Sequence, residues 1–313
     1  MLYSVIIMKM ESLIAIVGPT ATGKSDLAIE LAREFSGEVI SADSRQVYRS
    51  MDIGTAKLSR EEMSGVPHYL IDIKNPDEDF SLAEYQRMAL EIISGIHDRG
   101  RLPILAGGSG LYVWALLEGW GIPSVKPDPV FRQRLEDRAA AGKGDDLYRE
   151  LQELDPDAAA TIDPRNVRRV IRALEVSRQA DAPFSRLKQK QEPPFATLII
   201  GLTAERQELY RRIDARVDAM IERGLVEEVQ ELLRRGYGSG IPAMSGIGYR
   251  QILLYLNGEL SLESAVYQIK TETHRLVRRQ YNWFRLTDER IRWLDIEGDY
   301  RAEAREMVEE FLL

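Results

Sequence analysis

Residues 13–26 read LIAIVGPTATGKSD. An apolar run, residues 12–17, stops at a turn carrying Gly18, Gly23, Lys24 and Ser25. The next segment places Leu27, Ile29, Leu31, Ala32 and Phe35 at mostly helical spacing. Gly18–Ser25 fits the pattern G-x-x-x-x-G-K-[ST], set between a strand and a helix as that pattern requires. Its glycines permit torsions that turn successive N–H groups toward an anion. The helix start adds a positive dipole end. Lys24 supplies a mobile cation for terminal phosphate oxygens, and Ser25 is the candidate ligand for a bridging Mg2+. The stretch therefore predicts a diphosphate-bearing ligand at the edge of an α/β sheet. It leaves open whether that ligand is a nucleotide.

Working outward, strands are expected at 12–17, 38–42, 69–73, 102–108, 196–202 and 291–296. A helix at 81–98 starts at Ser81, with Glu84 three positions on. Strands alternating with helices predict an α/β fold: a P-loop NTPase-like parallel sheet flanked by helices. The three prolines of GIPSVKPDPVF (121–131) mark a boundary. Beyond them only helical periodicity is found, at 129–142, 145–154 and 164–180. Long amphipathic helices are expected at about 205–235, 246–257 and 261–286, with a last helix after 296. The predicted organisation is a first part of the core at 1–121, an all-helical insertion domain at 122–195, and the rest of the core at 196–313. The two ends of the insertion are expected to meet on the α/β core.

The 313 residues are 44% hydrophobic and 29% charged, enough for a substantial core. A net charge of -8 argues against indiscriminate nucleic-acid binding but leaves room for a local basic face. The absence of cysteine removes disulfides, cysteine nucleophiles and thiolate metal sites, and three histidines are too sparse for a zinc cluster. MLYSVIIMKM at the start reads as an uneven beginning rather than a secretory leader. No apolar run reaches the ~20 residues of a membrane span. The expected setting is cytoplasmic, without a membrane partner.

Two further segments fall at the C-terminal ends of strands, where ligands of open α/β sheets gather. SADSRQVYRSMDIGTAK (41–57) puts Asp43 there. Its carboxylate suits a general base, and equally the cap of a short helix. Ser44 and Gln46 offer directional hydrogen bonds, Gln46 with the geometry of an adenine edge. GGSGLY (107–112) brings the Ser109 hydroxyl to the same edge, or is simply a tight turn. Asp72 fits a metal contact or a turn equally well.

These segments, with VPHYLIDI (66–73), DPRNVRRVIRALEV (163–176), SGIGYRQ (245–251) and RRQYNWFR (278–285), resemble the tRNA dimethylallyltransferase family, also called tRNA isopentenyltransferases. The likeness runs in order along nearly the whole chain. It implies transfer of a dimethylallyl group from dimethylallyl diphosphate to the N6 amine of the adenosine 3′-adjacent to the anticodon, with Mg2+ as cofactor and diphosphate released. The partner implied is the anticodon stem-loop of tRNA, and a monomer is expected. Carried over residue by residue, Gly18, Pro19, Thr20, Ala21, Thr22, Gly23, Lys24, Ser25 and Arg206 bind diphosphate. Asp43 matches the general base, and Ser109 stands where the family usually has threonine, its hydroxyl kept for the bridging oxygen. Asp43, Ser44, Arg45, Gln46 and Ser109 match positions that meet the target nucleotide. Arg132, Arg168, Arg169, Val170, Ile171 and Arg172 match tRNA-contacting positions. The chain departs from the family pattern at Leu58, His274 and Asn282.

The charge pattern fits an RNA partner. Between 165 and 190 stand Arg165, Arg168, Arg169, Arg172, Arg178, Arg186, Lys188 and Lys190, against only Glu175 and Asp181. Positions 165, 168, 169 and 172 are expected on one helical face, able to track phosphates. Trp283 and Phe284 are expected in the core. The competing readings are a small-molecule P-loop kinase, a prenyltransferase of free adenine nucleotides (an adenylate isopentenyltransferase), and a nucleotide-regulated RNA-binding module without catalysis.

Overall fold

The computed structural model describes residues 11–123, 125, 128–180, 183–187 and 190–313. The opening MLYSVIIMKM, Asp181 and Lys188 lie outside them. The chain divides into two compact units, one running to Leu117 and resuming at Pro194, the other Glu118–Pro193.

The first unit is built on a single six-stranded sheet, all parallel, in the order β3-β2-β4-β1-β5-β6. The strands are β1 (Glu11–Val17), β2 (Gly37–Ser41), β3 (His68–Tyr69), β4 (Leu102–Ala106), β5 (Phe195–Thr203) and β6 (Ile291–Asp295). β1 is central, with Ile14 paired to Ile104 on one side and to Leu198 on the other. That position explains its unbroken apolar run: a central parallel strand is covered on both faces. Helices α1 (Lys24–Glu34) and α13 (Tyr300–Leu312) pack in one core cluster with the sheet, through Leu27, Leu31, Ala304 and Val308. A second core cluster joins α9 (Arg206–Glu222), α10 (Leu225–Arg234), α11 (Tyr249–Leu256) and α12 (Leu262–Trp283) through Leu209, Ile213, Val229, Ile252 and Ile269. α2 (Leu82–Asp98) opens as expected, with the Ser81 Oγ accepting from Glu84 N at 3.1 Å, and α3 (Gly110–Leu117) follows β4. No helix among the described residues is long and apolar enough to cross a membrane.

Three expected elements differ. The strand at 69–73 is cut to His68–Tyr69, because Leu70 and Asp72 take left-handed torsions, φ 60° and 55°. The strand at 102–108 stops at Ala106, where the double glycine turns away. The single helix at 205–235 is two, parted at Gly224 with φ 97°.

The second unit holds α4 (Pro129–Ala140), α5 (Gly144–Leu154), α6 (Pro156–Thr161), α7 (Val167–Gln179) and α8 (Phe184–Leu187). Leu135, Leu147, Leu151, Val170, Ile171 and Leu174 form its core. α6 is too short to show a periodicity and is absent from the expected elements. It starts at Asp155, whose Oδ1 accepts from Ala158 N at 3.0 Å, and at Pro156. α7 starts three residues later than expected, capped by Asn166.

Candidate active site

β1, β4 and β2 are neighbours, so the loops leaving their C-terminal ends converge. The first is the Gly18–Ser25 turn. Gly18 has φ 132°, and a β-carbon there would stand 2.3 Å from the Leu202 carbonyl oxygen of β5, so no other residue fits. Gly23 caps α1 in a left-handed conformation, φ 82°. Inside the turn, Thr22 Oγ1 donates to Pro19 O at 2.9 Å and Lys24 Nζ donates to the same carbonyl. Desolvation pulls the Lys24 ammonium down to about 7, helped by the Arg216 charge and opposed by Asp43. The lysine is thus a cation held short of counter-charge, and Asp43 lies within its electrostatic reach.

The second loop follows β2. Asp43 Oδ1 accepts from Arg45 N at 2.8 Å and from Gln46 N at 3.4 Å. Capping and a chemical role are therefore compatible here. One carboxylate oxygen holds the turn, and Oδ2 has no hydrogen-bond partner among the described residues. The third loop follows β4. Ser109 N donates to Ala42 O at 3.1 Å, and the Ser109 hydroxyl oxygen accepts from Ser44 N at 3.1 Å. That hydroxyl in turn donates to Ser44 Oγ at 3.4 Å, a long bond that a better acceptor in the cavity can replace.

These loops open on one cavity of about 600 Å3. Thr20, Asp43, Ser44, Arg45 and Ser109 all line it. So does Arg216 of α9, whose Nη1 donates to Thr20 Oγ1 at 3.4 Å. Ile213, Val217 and Met220 of α9, with Ile269 and Leu276 of α12, give the cavity an apolar wall. A further wall is the 54–56 backbone, fixed from two sides. Glu228 accepts from Asp52 N, Ile53 N and Gly54 N at 2.9, 2.7 and 3.2 Å, and from Tyr249 OH at 2.6 Å. Gln46 Nε2 donates to Thr55 O and Ala56 O at 3.3 and 3.4 Å, while its Oε1 accepts from Ser41 Oγ at 3.3 Å.

Several expected residues stand elsewhere. Gln46 has its amide engaged on the protein and does not line the cavity. Arg45 Nη1 donates to Pro242 O and Ala243 O, 3.2 and 3.3 Å away. Arg206 lies at the exposed start of α9, its Nε on the Tyr210 hydroxyl at 3.0 Å; the α9 arginine at the phosphate turn is Arg216. Asp72 takes the turn reading: its carboxylate accepts from Lys57 Nζ at 2.6 Å. Among the described residues no three or more His, Cys, Asp or Glu side chains gather as metal ligands. Ser25 is exposed at the start of α1.

In the insertion, Val170 and Ile171 are buried in the helical core, 1% and 3% exposed, and their side chains cannot touch RNA. Arg132 and Arg172 both pair with Glu175, at 2.8 and 2.6 Å, and that carboxylate is fully buried. Arg165 precedes α7 and pairs with Asp163 at 2.7 Å, so it is not on the helical face. Arg168 and Arg169 are exposed on α7. Phe284 is buried as expected, but Trp283 is 42% exposed and lines the cavity. Sequence reading missed Arg216, Glu228 and Gln280. Only Gln280 left a trace, an uncharged polar residue among the arginines of RRQYNWFR.

Residues 46–287 match the family model described as IPP transferase. The chain is 50% identical over 300 residues to the tRNA dimethylallyltransferase of Dehalococcoides mccartyi, covering 96% of this chain and 92% of that one. It is 52% identical over 305 residues to the tRNA dimethylallyltransferase of Thermomicrobium roseum, covering 97% and 92%. Among solved structures, the full-length tRNA isopentenylpyrophosphate transferase of Bacillus halodurans superposes with a TM-score of 0.72 at 42% identity, covering 96% of each chain. A eukaryotic dimethylallyltransferase captured acting on tRNA gives 0.81 at 28% identity, covering 96% of this chain and 79% of that one. The chain belongs to the IPP transferase family.

Proposed function

We propose that this chain is a transferase that moves a dimethylallyl group from dimethylallyl diphosphate to the N6 amine of the tRNA adenosine 3′-adjacent to the anticodon. The observation that carries the reading is a single cavity lined by three kinds of surface: Thr20 of the phosphate turn with Arg216, apolar side chains of α9 and α12, and Asp43. A kinase needs the first, whereas an apolar wall and a carboxylate in the same cavity suit an allylic donor and an amine acceptor.

The chemistry follows from that arrangement. The allylic C–O bond breaks and negative charge gathers on the departing diphosphate. Arg216, the N–H groups of the turn and Lys24, once it exchanges Pro19 O for the ligand, stabilise that charge. The N6–carbon bond forms, and Asp43 Oδ2 takes the amine proton. The Ser109 hydroxyl donates to the bridging oxygen as it becomes anionic. Ser25 would hold magnesium. A hydroxyl beside diphosphate oxygens is a hard-oxygen set that suits an ion keeping several waters, and when bound the ion adds charge stabilisation at the leaving group. On the insertion, the exposed Arg168 and Arg169 contact RNA phosphates. Arg132 and Arg172 hold the helices that present them.

The test is incubation with unmodified tRNA, magnesium and labelled dimethylallyl diphosphate, followed by mapping of the label. Label on an anticodon-loop adenosine is the expected result. Label only on free adenine nucleotides, or none, overturns the reading.

A further inference from the structure

α12 ends against the acceptor side of the cavity in an unusual way. Phe284 goes into the core, 6.1 Å from the Trp114 ring, and the Trp283 carbonyl accepts from Trp114 Nε1 at 2.9 Å. The last turn is therefore fixed at two points. Yet the Trp283 indole between them stays 42% exposed, and no group among the described residues accepts from its N–H. Its root rests on Gly110. A β-carbon at residue 110 would stand 2.3 Å from Trp283 Cγ and 2.8 Å from Cδ2, so the glycine of GGSGLY is what lets the ring lie there. Leu111, next in the chain, is also exposed, at 41%, and it too lines the cavity.

A large aromatic held in place at its root and open to a cavity offers a rigid amphipathic face for a ligand to cover. Its surroundings say which ligand. Gly110 follows Ser109, Ser109 bonds to Ser44, and Ser44 follows Asp43. Trp283 is therefore linked through Gly110, Ser109 and Ser44 to the candidate base. An adenosine that leaves its stack to reach Asp43 strips a stacking partner from its neighbours. Single-stranded RNA bases are recognised by aromatic planes that replace that partner.

We propose that Trp283, backed by Leu111, is the platform on which a nucleobase flanking the target adenosine stacks. This rests on the acceptor being an RNA adenosine. The platform lowers the cost of extruding the target and binds any base, because every base has a π-face.

The experiment measures initial rates on an unmodified anticodon stem-loop for wild type, Trp283→Phe and Trp283→Leu. Both substitutes keep a β- and a γ-carbon over Gly110, and an unchanged melting temperature is the control for folding. The leucine enzyme is expected to show a KM for RNA raised by roughly 5-fold or more, the lower end of base–aromatic stacking. Its KM for dimethylallyl diphosphate is expected to stay unchanged, and the phenylalanine enzyme to recover most of the loss. The same series is run on stem-loops made abasic at the 5′ or the 3′ neighbour of the target. On the RNA lacking the stacked base, wild type and Trp283→Leu should converge. If the penalty persists on both abasic RNAs, is absent on intact RNA, or appears in the KM for the diphosphate substrate, the platform is wrong. If wild type fails to modify the intact stem-loop, the proposed function itself is wrong.

Discussion

Gln280 and Thr20 lie 260 positions apart in the chain, and the Thr20 N–H donates to Gln280 Oε1 at 2.9 Å. The other end of the same amide donates to Gly108 O at 3.1 Å. One side chain from α12 therefore ties the phosphate turn to the loop that carries Ser109. Gly108 is a glycine for this reason, since a β-carbon there would stand 2.3 Å from Gln280 Nε2.

Replacing Gln280 by alanine unties both loops. It leaves a backbone donor and a backbone acceptor without partners, at a cost of about 1–3 kcal/mol. Gln280→Glu keeps the acceptor for Thr20 but sets a carboxylate against the Gly108 carbonyl and beside the diphosphate. The expected order of KM for dimethylallyl diphosphate is wild type, then alanine, then glutamate as the weakest binder. Equal KM values in all three would remove the coupling role.

Asp43 combines a cap with a free oxygen, and two substitutions separate the two jobs. An asparagine side chain retains an oxygen for the Arg45 N–H but is no base. Asp43→Asn should therefore lower turnover by about 10²–10⁴-fold, with RNA affinity and melting temperature near wild type. Asp43→Ala should add a stability loss of about 1 kcal/mol from the missing cap. Turnover within tenfold of wild type in the asparagine enzyme would falsify the assignment of Asp43 as base.

What the sequence disclosed and what it withheld follow the range of the forces involved. The phosphate turn was readable because its glycines, lysine and helix start act over eight neighbouring residues. β1 announced itself because a central parallel strand must be apolar throughout. The protein partners of Gln46 were not readable because Ser41, Thr55 and Ala56 meet it only after the loop closes. Val170 and Ile171 were swept into an RNA-contacting run with their arginine neighbours, although a helix turns such residues to opposite sides. Arg206 and Arg216 sit on the same helix, and only the packing of α9 decides which reaches Thr20.

That choice is testable. Arg216→Ala removes a cation aimed at the developing diphosphate charge and should lower kcat/KM by about 10²–10³-fold. Arg206→Ala, an exposed change, should stay within about twofold of wild type. The reverse ranking, measured with dimethylallyl diphosphate as the varied substrate, would return the phosphate role to Arg206.

Glu175 is the keystone of the insertion. It is fully buried, and it takes hydrogen bonds from Arg132, Arg172 and Asp128 N. Burial pushes its carboxyl up, but these donors outweigh burial and hold it below the usual range. Glu175→Ala should cost about 2–4 kcal/mol, discounted from the ~3–5 kcal/mol of a broken buried pair because both arginines keep some solvent. Amide exchange should quicken in α4 and α7 while the central strands stay protected. Uniform loosening of both units, or none, would show that Glu175 is not the local tie.

Lys24 sets a pH dependence whose sign can be worked out. In the ligand-free turn its ammonium titrates at about 7, mainly through desolvation, with Arg216 adding to the shift. The unfolded value is near ~10.4. Between those two the unfolded chain holds one more proton than the folded one, so this group's contribution makes stability rise with pH across that window and flattens it below. An anionic ligand reverses the balance by supplying the missing counter-charge, which raises the lysine again. Binding of dimethylallyl diphosphate at pH 8 should therefore take up a proton, and affinity should fall by up to about tenfold per pH unit above 7. The terminal phosphate, like other phosphomonoesters, titrates near ~6 and is already ionised there. Calorimetry in two buffers of different ionisation enthalpy reads the proton directly, and Lys24→Met should abolish the uptake. If the methionine variant takes up as much proton as wild type, Lys24 is not the group that titrates.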